Sequence, residues 1–236
     1  MIIDSHCHLD SFEILNIPKD IFPITSGYSH DSNVKNVEIG KKLKVPYTLG
    51  IAPQTSIREG LDVLDRWIDF IKSQSPVAIG EIGLDFHWTN EETKIKEEYF
   101  LFDKMITLAE EMNLPIVIHS RKAEKEVFEI LKQKNIRNFV MHCYSGDYSL
   151  AEEITSFGGL ISIPPIHSKN RKEVIEKIPL KYLIVESDAP YIVKNIAEVK
   201  KAIDYISDVK KLSFDEVVEK TSENTINFFK LEGFYV

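Results

Sequence analysis

The chain opens with two histidines separated by one residue, in Ile2-Ile3-Asp4-Ser5-His6-Cys7-His8. Four more apolar runs end in the same kinds of side chain. Val77-Ala78-Ile79-Gly80 leads to Glu81, Ile116-Val117-Ile118 to His119, and Phe139-Val140-Met141 to His142. Leu183-Ile184-Val185 leads to Glu186-Ser187-Asp188. Imidazole and carboxylate are the usual ligands of a catalytic divalent ion. Five such endings at one relative position exceed what core packing explains. They imply a metal centre at one end of a parallel barrel.

The elements that must position these groups are legible in outline. Apolar runs fall at 1–3, 21–27, 46–52, 77–82, 115–119, 139–143, 159–163 and 182–187, as strands buried on both faces require. Polar, helix-periodic segments lie between them. The clearest runs from Glu91 to Met112, where Ile95, Tyr99, Phe102, Ile106 and Ala109 recur at spacings of three and four. Thr89 with Glu92 offers a capping box at its start, and Ser213 with Glu216 offers another for a final helix. The second unit is the weakest, with a short helix over about 33–44. Eight strand–helix alternations predict an α/β fold, a single-domain (β/α)8 TIM barrel over residues 1–236, with the centre at the C-terminal ends of the strands.

Within that frame each residue acquires a place. Positions i and i+2 of a strand share a face, so His6 and His8 point into the barrel and Cys7 away from it. Burying two imidazoles on one inward face is costly unless they bind something. A carboxylate can bridge two cations, which makes Glu81 the natural bridge. His119 and His142 could complete a second site with Glu81, and Asp188 would return to the first beside His6 and His8. Asp85 reads as a capping or salt-bridged acid, and Glu186 as a group that could orient a ligand through a hydrogen bond. Arg121, two residues past His119, is placed to clamp a phosphate. Phe86, Trp88 and Tyr144 could stack on bases, and His87 could line the same pocket. Lys169, Arg171 and Lys172 read as a solvated helix face, with an extra phosphate subsite as the alternative, His30 and His167 as exposed loop histidines, and Cys7 and Cys143 as packed under helices.

Composition narrows the partners. The 236 residues are 43% hydrophobic and 28% charged, with a net charge of −8. An acidic chain lacks the basic surface of a nonspecific duplex binder, so any phosphodiester must be met by bound cations and a few local Lys and Arg. Short or single-stranded ends suit that arrangement. No apolar stretch reaches the roughly 18 residues that span a bilayer, and no leader pattern opens the chain. Two cysteines make no disulfide framework. The expected location is cytoplasmic, with no membrane and no obligate protein partner.

Read together, these motifs resemble the TatD-type deoxyribonucleases, a branch of the metal-dependent hydrolase (amidohydrolase) superfamily. The resemblance rests on Asp4-Ser-His6-Cys-His8-Leu-Asp10, Gly80-Glu81-Ile-Gly-Leu-Asp85 and Leu114-Pro-Ile-Val-Ile-His119-Ser-Arg121. It extends through His142-Cys-Tyr-Ser-Gly146, Glu186-Ser-Asp188-Ala-Pro-Tyr191 and a trailing Glu223-Asn224-Thr225 with Phe228. It implies a TIM barrel in which His6, His8, Glu81 and Asp188 hold one divalent ion and Glu81, His119 and His142 another. The ions would be Mg2+, Mn2+ or Zn2+, one or two per chain. Glu81 and Asp188 are then the carboxylates expected at the reaction itself: hydrolysis of DNA, exonucleolytic from single-stranded or 3′ ends, by a metal-activated water. Two departures stand out. The family's Gly-x-His-Pro stretch after the third strand reads Gly50-Ile51-Ala52-Pro53, and the Pro- and Arg-rich loop after Tyr191 is reduced to Ile192-Val193-Lys194-Asn195. A small-molecule amidohydrolase, esterase or phosphoesterase is the alternative, and a metal-bound scaffold without activity a more remote one.

Overall fold

Eight short strands pair in parallel and in strict sequence order in the computed structural model, which describes residues 1–13 and 16–234. They are β1 (Ile2–Cys7), β2 (Ile21–Ser26), β3 (Tyr47–Leu49), β4 (Ala78–Gly83), β5 (Ile116–His119), β6 (Phe139–Met141), β7 (Leu160–Ile163) and β8 (Leu183–Val185). Around them run α1 (His30–Leu43), α2 (Pro53–Glu59), α3 (Leu64–Lys72), α4 (Glu92–Met112), α5 (Glu124–Gln133), α6 (Tyr148–Phe157), α7 (Lys169–Lys177), α8 (Val199–Lys210) and α9 (Phe214–Phe229). This is the (β/α)8 barrel expected from the sequence. Between β8 and β1 the barrel is joined above the strands by loop bonds. Asp188 N–H donates to His6 C=O at 2.9 Å and His8 N–H to Ala189 C=O at 2.8 Å.

Two local expectations need correction. β1 is followed by no α-helix among the described residues, against the expected alternation, and the helix after β2 begins earlier than expected, at His30. After β1 there is only a one-turn 3-10 segment, Leu9–Ser11, and the last helix, α9, packs on β1 and β8 instead. The Thr89–Glu92 capping box does not form. The Thr89 hydroxyl accepts from Glu91 N–H at 3.1 Å, a turn that ends just before α4 begins. The Ser213–Glu216 box at the start of α9 is complete on both sides.

The interior of the barrel is apolar at the bottom and polar at the top. Ile3, Ile24, Ala78, Val117, Val140 and Ile184 form one inward-facing apolar layer, closed from below by Phe228, Phe229 and Leu231 at the end of α9. Two residues further along, β2, β5, β6 and β8 present Ser26, His119, His142 and Glu186 to the same interior. On β1 and β4 regular alternation from Ile3 and Ala78 would turn His6 and Glu81 outward. Both strands shift register there, between Asp4 and Cys7 and between Ile79 and Ile82. An extra residue at such a bulge re-aims the side chains beyond it. Just past the second shift, Gly83 lets the chain pass close to β5. Its φ is +145°, and a Cβ there would lie 1.9 Å from the His119 carbonyl oxygen.

The apolar plug yields a direct expectation. Phe228 is 8% exposed within the barrel-floor cluster. Phe228→Ala should lower the unfolding free energy by about 3–5 kcal/mol, as for other buried Phe truncations. Urea denaturation checks this, and a loss below about 1 kcal/mol would show that the floor does not depend on this ring.

Candidate metal centre

Six of the predicted groups meet in one buried pocket at the C-terminal end of the barrel. His6, His8, Glu81, His142 and Asp188 are each less than a tenth exposed. His6 Nε2 and His8 Nε2 lie 3.2 Å apart, turned to one point between them. Asp188 Oδ1 is 3.2 Å from His8 Nε2 and 3.9 Å from His6 Nε2, and Glu81 Oε1 is 3.7 Å and 4.0 Å from the same atoms. The other oxygen of Glu81, Oε2, faces His119 Nδ1 at 3.1 Å and His142 Nε2 at 3.6 Å. Glu81 thus turns one oxygen toward His6 and His8 and the other toward His119 and His142. Two groups are positioned to hold a divalent ion: His6, His8 and Asp188, and His6, Glu81 and His142. Buried imidazoles and carboxylates with lone pairs converging on one point are the donor set such ions take.

Outer groups fix each ring. The Ser26 carbonyl accepts from His8 Nδ1 at 2.9 Å, so the His8 proton stays on Nδ1 and Nε2 is the nitrogen turned to an ion. The Ser26 hydroxyl lies 3.1 Å from His6 Nδ1. Glu186 faces His142 without the hydrogen bond considered for it. Its Oε1 is 3.5 Å from His142 Nδ1, an ion-pair distance rather than a good hydrogen bond, and it also accepts from Cys143 N–H. Its Oε2 accepts from the Ser162 hydroxyl at 2.6 Å. Asp4 ties β1 to the end of β8 by accepting from both the backbone and the hydroxyl of Ser187.

His119 is held at both nitrogens. Nε2 lies 2.7 Å from Asp85 Oδ2, a contact that requires a proton between them, which leaves Nδ1 for the Glu81 side. Asp85 is therefore the salt-bridged acid of the two readings. It pairs with His119, and its Oδ1 accepts from His87 N–H. Its own backbone N–H is held by Glu98 of α4 at 2.9 Å.

Charge in this pocket is set by burial against close partners. Burial resists ionisation of Glu81, yet the His119 hydrogen bond and the rings of His142, His119 and His6 hold its carboxyl well below the usual range. Burial lowers His8, His119 and His142, but facing carboxylates overcome it and raise each to about 9: Asp188 and Glu81 at His8, Asp85 and Glu81 at His119, Glu186 and Glu81 at His142. His6 is pushed well below its ordinary value by burial and by the neighbouring histidines. Burial likewise lifts Asp4 to about 8 despite its Ser187 bonds.

Above the centre lies a cleft of about 870 Å³. Arg121 and Trp88 line it as expected, with the Arg121 guanidinium 5.6 Å over the exposed indole. Tyr144 does not reach it as a stacking surface. It is 1% exposed, its ring belongs to the hydrophobic core, and its hydroxyl donates to Asp147 C=O. Phe86 is likewise packed on the core against Tyr99, although its backbone N–H bonds Arg121 C=O and so helps place that arginine. His87 is exposed and edge-on to Trp88. Cys143 lines the cleft instead of packing under a helix, whereas Cys7 is buried as expected beside Leu9, Val45 and Ala189. Arg171 is no solvated residue. It is 4% exposed and donates to the carbonyls of Ile166 and Tyr144, and with Lys169 it lines the cleft. His30 starts α1 and is half-buried, stacked on Trp67, while His167 is exposed and stacked on Tyr205.

Several contributors were not read from the sequence. Ser26 was available by alternation, two residues past inward Ile24. Tyr28 and Tyr191, whose rings both stand edge-on to His8, lie in loops where no periodicity applies. Gln54, in the first turn of α2, donates to Asp85 Oδ2 at 3.0 Å, and nothing in its neighbours marks it. Among the described residues no helix is long and apolar enough to cross a membrane.

Comparison with known proteins finds metal-dependent hydrolases. The chain is 36% identical to an uncharacterized metal-dependent hydrolase of Methanocaldococcus jannaschii, covering 97% of this chain and 96% of that one. It is 28% identical to the uncharacterized metal-dependent hydrolase YabD of Bacillus subtilis, over 98% of this chain and all of the other. Among solved structures, the TatD homolog YjjV of Escherichia coli superposes with a TM-score of 0.83 at 22% identity, over 97% of this chain and 98% of that one. Residues 3–230 match the family described as TatD related DNase, and the chain belongs to that family of metal-dependent hydrolases.

Proposed function

We propose that this hydrolase is a deoxyribonuclease acting on DNA ends, single-stranded or 3′, by exonucleolytic cleavage. The observation that carries the reading is the pairing of Arg121 with Trp88 on the cleft wall above the centre. A guanidinium suited to a phosphate and an exposed indole suited to a base stand together, which is what one nucleotide needs. Human deoxyribonuclease TATDN3, 26% identical over 97% of this chain and 94% of that one, supports the substrate class. The net charge of −8 favours a short contact over a long duplex track.

In this mechanism His6, His8 and Asp188 would hold one ion, and Glu81, His119 and His142 the other, with Glu81 shared. Bound divalent ions supply activation of water and neutralisation of charge on the phosphate oxygens. The chain's own groups do the rest. Arg121 holds the phosphate in line, and Trp88 stacks on the terminal base. Asp188, turned to His8 through Oδ1, takes the proton of the attacking water at Oδ2. Asp85 keeps the ring of His119 from rotating, and the Glu186 carboxylate faces His142 as an opposite charge.

A cleft of about 870 Å³ is also within the range of small-molecule sites, and that observation keeps a small phosphoester or amide as the second reading. A 3′-labelled single-stranded oligonucleotide separates the two. Chelator-stripped protein should shorten it only after a divalent ion is restored, and Glu81→Ala should abolish this. Arg121→Ala should raise KM roughly tenfold or more, the size of one lost charged hydrogen bond, with a smaller change in kcat. No shortening with any ion, in protein that still binds ions, would favour the small substrate.

The titration of the centre adds a pH expectation. His8, His119 and His142 rise from 6.5 to about 9, so in ion-free protein their protons stabilise the fold fully below pH 6.5. That contribution is lost as pH rises through 9, and Asp4, raised to about 8, acts in the same direction. Ions displace the histidine protons, so loaded protein lacks the histidine share of the decline. Melting curves of stripped protein should show Tm falling between pH 6.5 and 9.5. A flat profile would refute the assignment of shared protons.

A further inference from the structure

From the geometry we infer that Gln54 is a positioning residue for one half of the metal centre. It acts through Asp85 on His119. The inference rests on the metal centre and not on the identity of the substrate.

The argument begins at Asp85. Its Oδ2 receives two donors, His119 Nε2 at 2.7 Å and the Gln54 amide nitrogen at 3.0 Å. Because the His119 proton lies on the Asp85 side, the 3.1 Å approach of Gln54 Nε2 to His119 Nε2 brings two N–H donors together and is no hydrogen bond. The amide therefore acts on the carboxylate alone. It fixes the rotation of Asp85, and Asp85 in turn keeps His119 Nδ1 toward Glu81 Oε2, 3.1 Å away. Glu98 completes the clamp by accepting from the Asp85 backbone N–H.

Gln54 is delivered rigidly. Ala52 is the N-cap of α2 and is 1% exposed, and its N–H donates to the Tyr28 carbonyl at 2.8 Å. The Thr55 hydroxyl donates to the same carbonyl at 2.8 Å. Pro53 occupies the first helical position, where its fixed φ suits the turn. Two residues beyond the small Ala52, the amide of Gln54 reaches the cleft. Unlike an imidazole, that amide does not titrate in the working pH range, so it neither competes for the ion nor gains a charge beside it.

The test reads ion binding directly. Mn2+ is titrated into chelator-stripped wild type, Gln54→Leu and His119→Ala by calorimetry, with melting curves of the stripped proteins beside them. Gln54→Leu should weaken by roughly ten- to a hundredfold the same binding step that His119→Ala removes. The other step should stay within twofold, and Tm of the stripped protein should hold. Gln54→Asn, which keeps the amide on a shorter stem, should recover part of the loss. Three results would overturn the inference: both steps within twofold of wild type in Gln54→Leu, both weakened together with a lowered Tm, or a wild-type chain that takes up one ion only. None of these bears on whether DNA is cleaved.

Discussion

Strand parity governs this molecule. A barrel interior can be a packed apolar floor or a cluster of polar ligands, and the two must share the same eight strands. Four strands manage the change by simple alternation: an apolar residue faces inward low in the barrel, and two residues later a polar one does so near the top. β1 and β4 carry three of the six ligand groups between themselves and the residue that follows β1, and both would fail by alternation alone. Each breaks its register once. The bulges turn His6 and Glu81 inward without disturbing Ile3 and Ala78 beneath them.

Around the ligands the chain spends its hydrogen bonds on orientation. Ser26 serves two histidines at once, through carbonyl and hydroxyl. Glu186 faces His142 and is itself held by Ser162. Asp85 faces His119 and is held by Gln54 and by Glu98. Orientation matters here because burial leaves little room for an ion to correct a misplaced ring. It also explains how so many ionisable groups coexist in a buried pocket: each charge has an opposite charge or a donor within reach.

Much of this was legible in the sequence, and the limits have physical reasons. The fold followed from eight apolar runs with helical spacing between them, and the ligand residues from their shared position at strand ends. Bulges leave no mark on apolar patterning, so the inward turn of His6 and Glu81 was right for a reason that alternation from Ile3 does not supply. Tyr144 and Phe86 were misplaced because an aromatic residue beside a site can equally pack beneath it, and both chose the core. Asp85 was read as a capping or salt-bridged acid without a named partner because that partner, His119, is 34 residues away, and Gln54 was missed because it arrives from a helix whose start carries no polar cap. The helix after β1 was expected from the repeat and is replaced by the chain's far end.

That replacement ties the start of the chain to its end. β1 carries His6 and leads into His8, yet its flank is covered by α9, and its top is bonded to Ser187, Asp188 and Ala189. His6 and His8 reach their places through contacts that cross the sequence: Asp4 and Ser187, 183 residues apart, close this side of the centre. Glu81, His119 and His142 come instead from the neighbouring strands β4, β5 and β6. The two halves of one pocket therefore differ in contact order, and the half around His6, His8 and Asp188 carries the greater loop-closure cost.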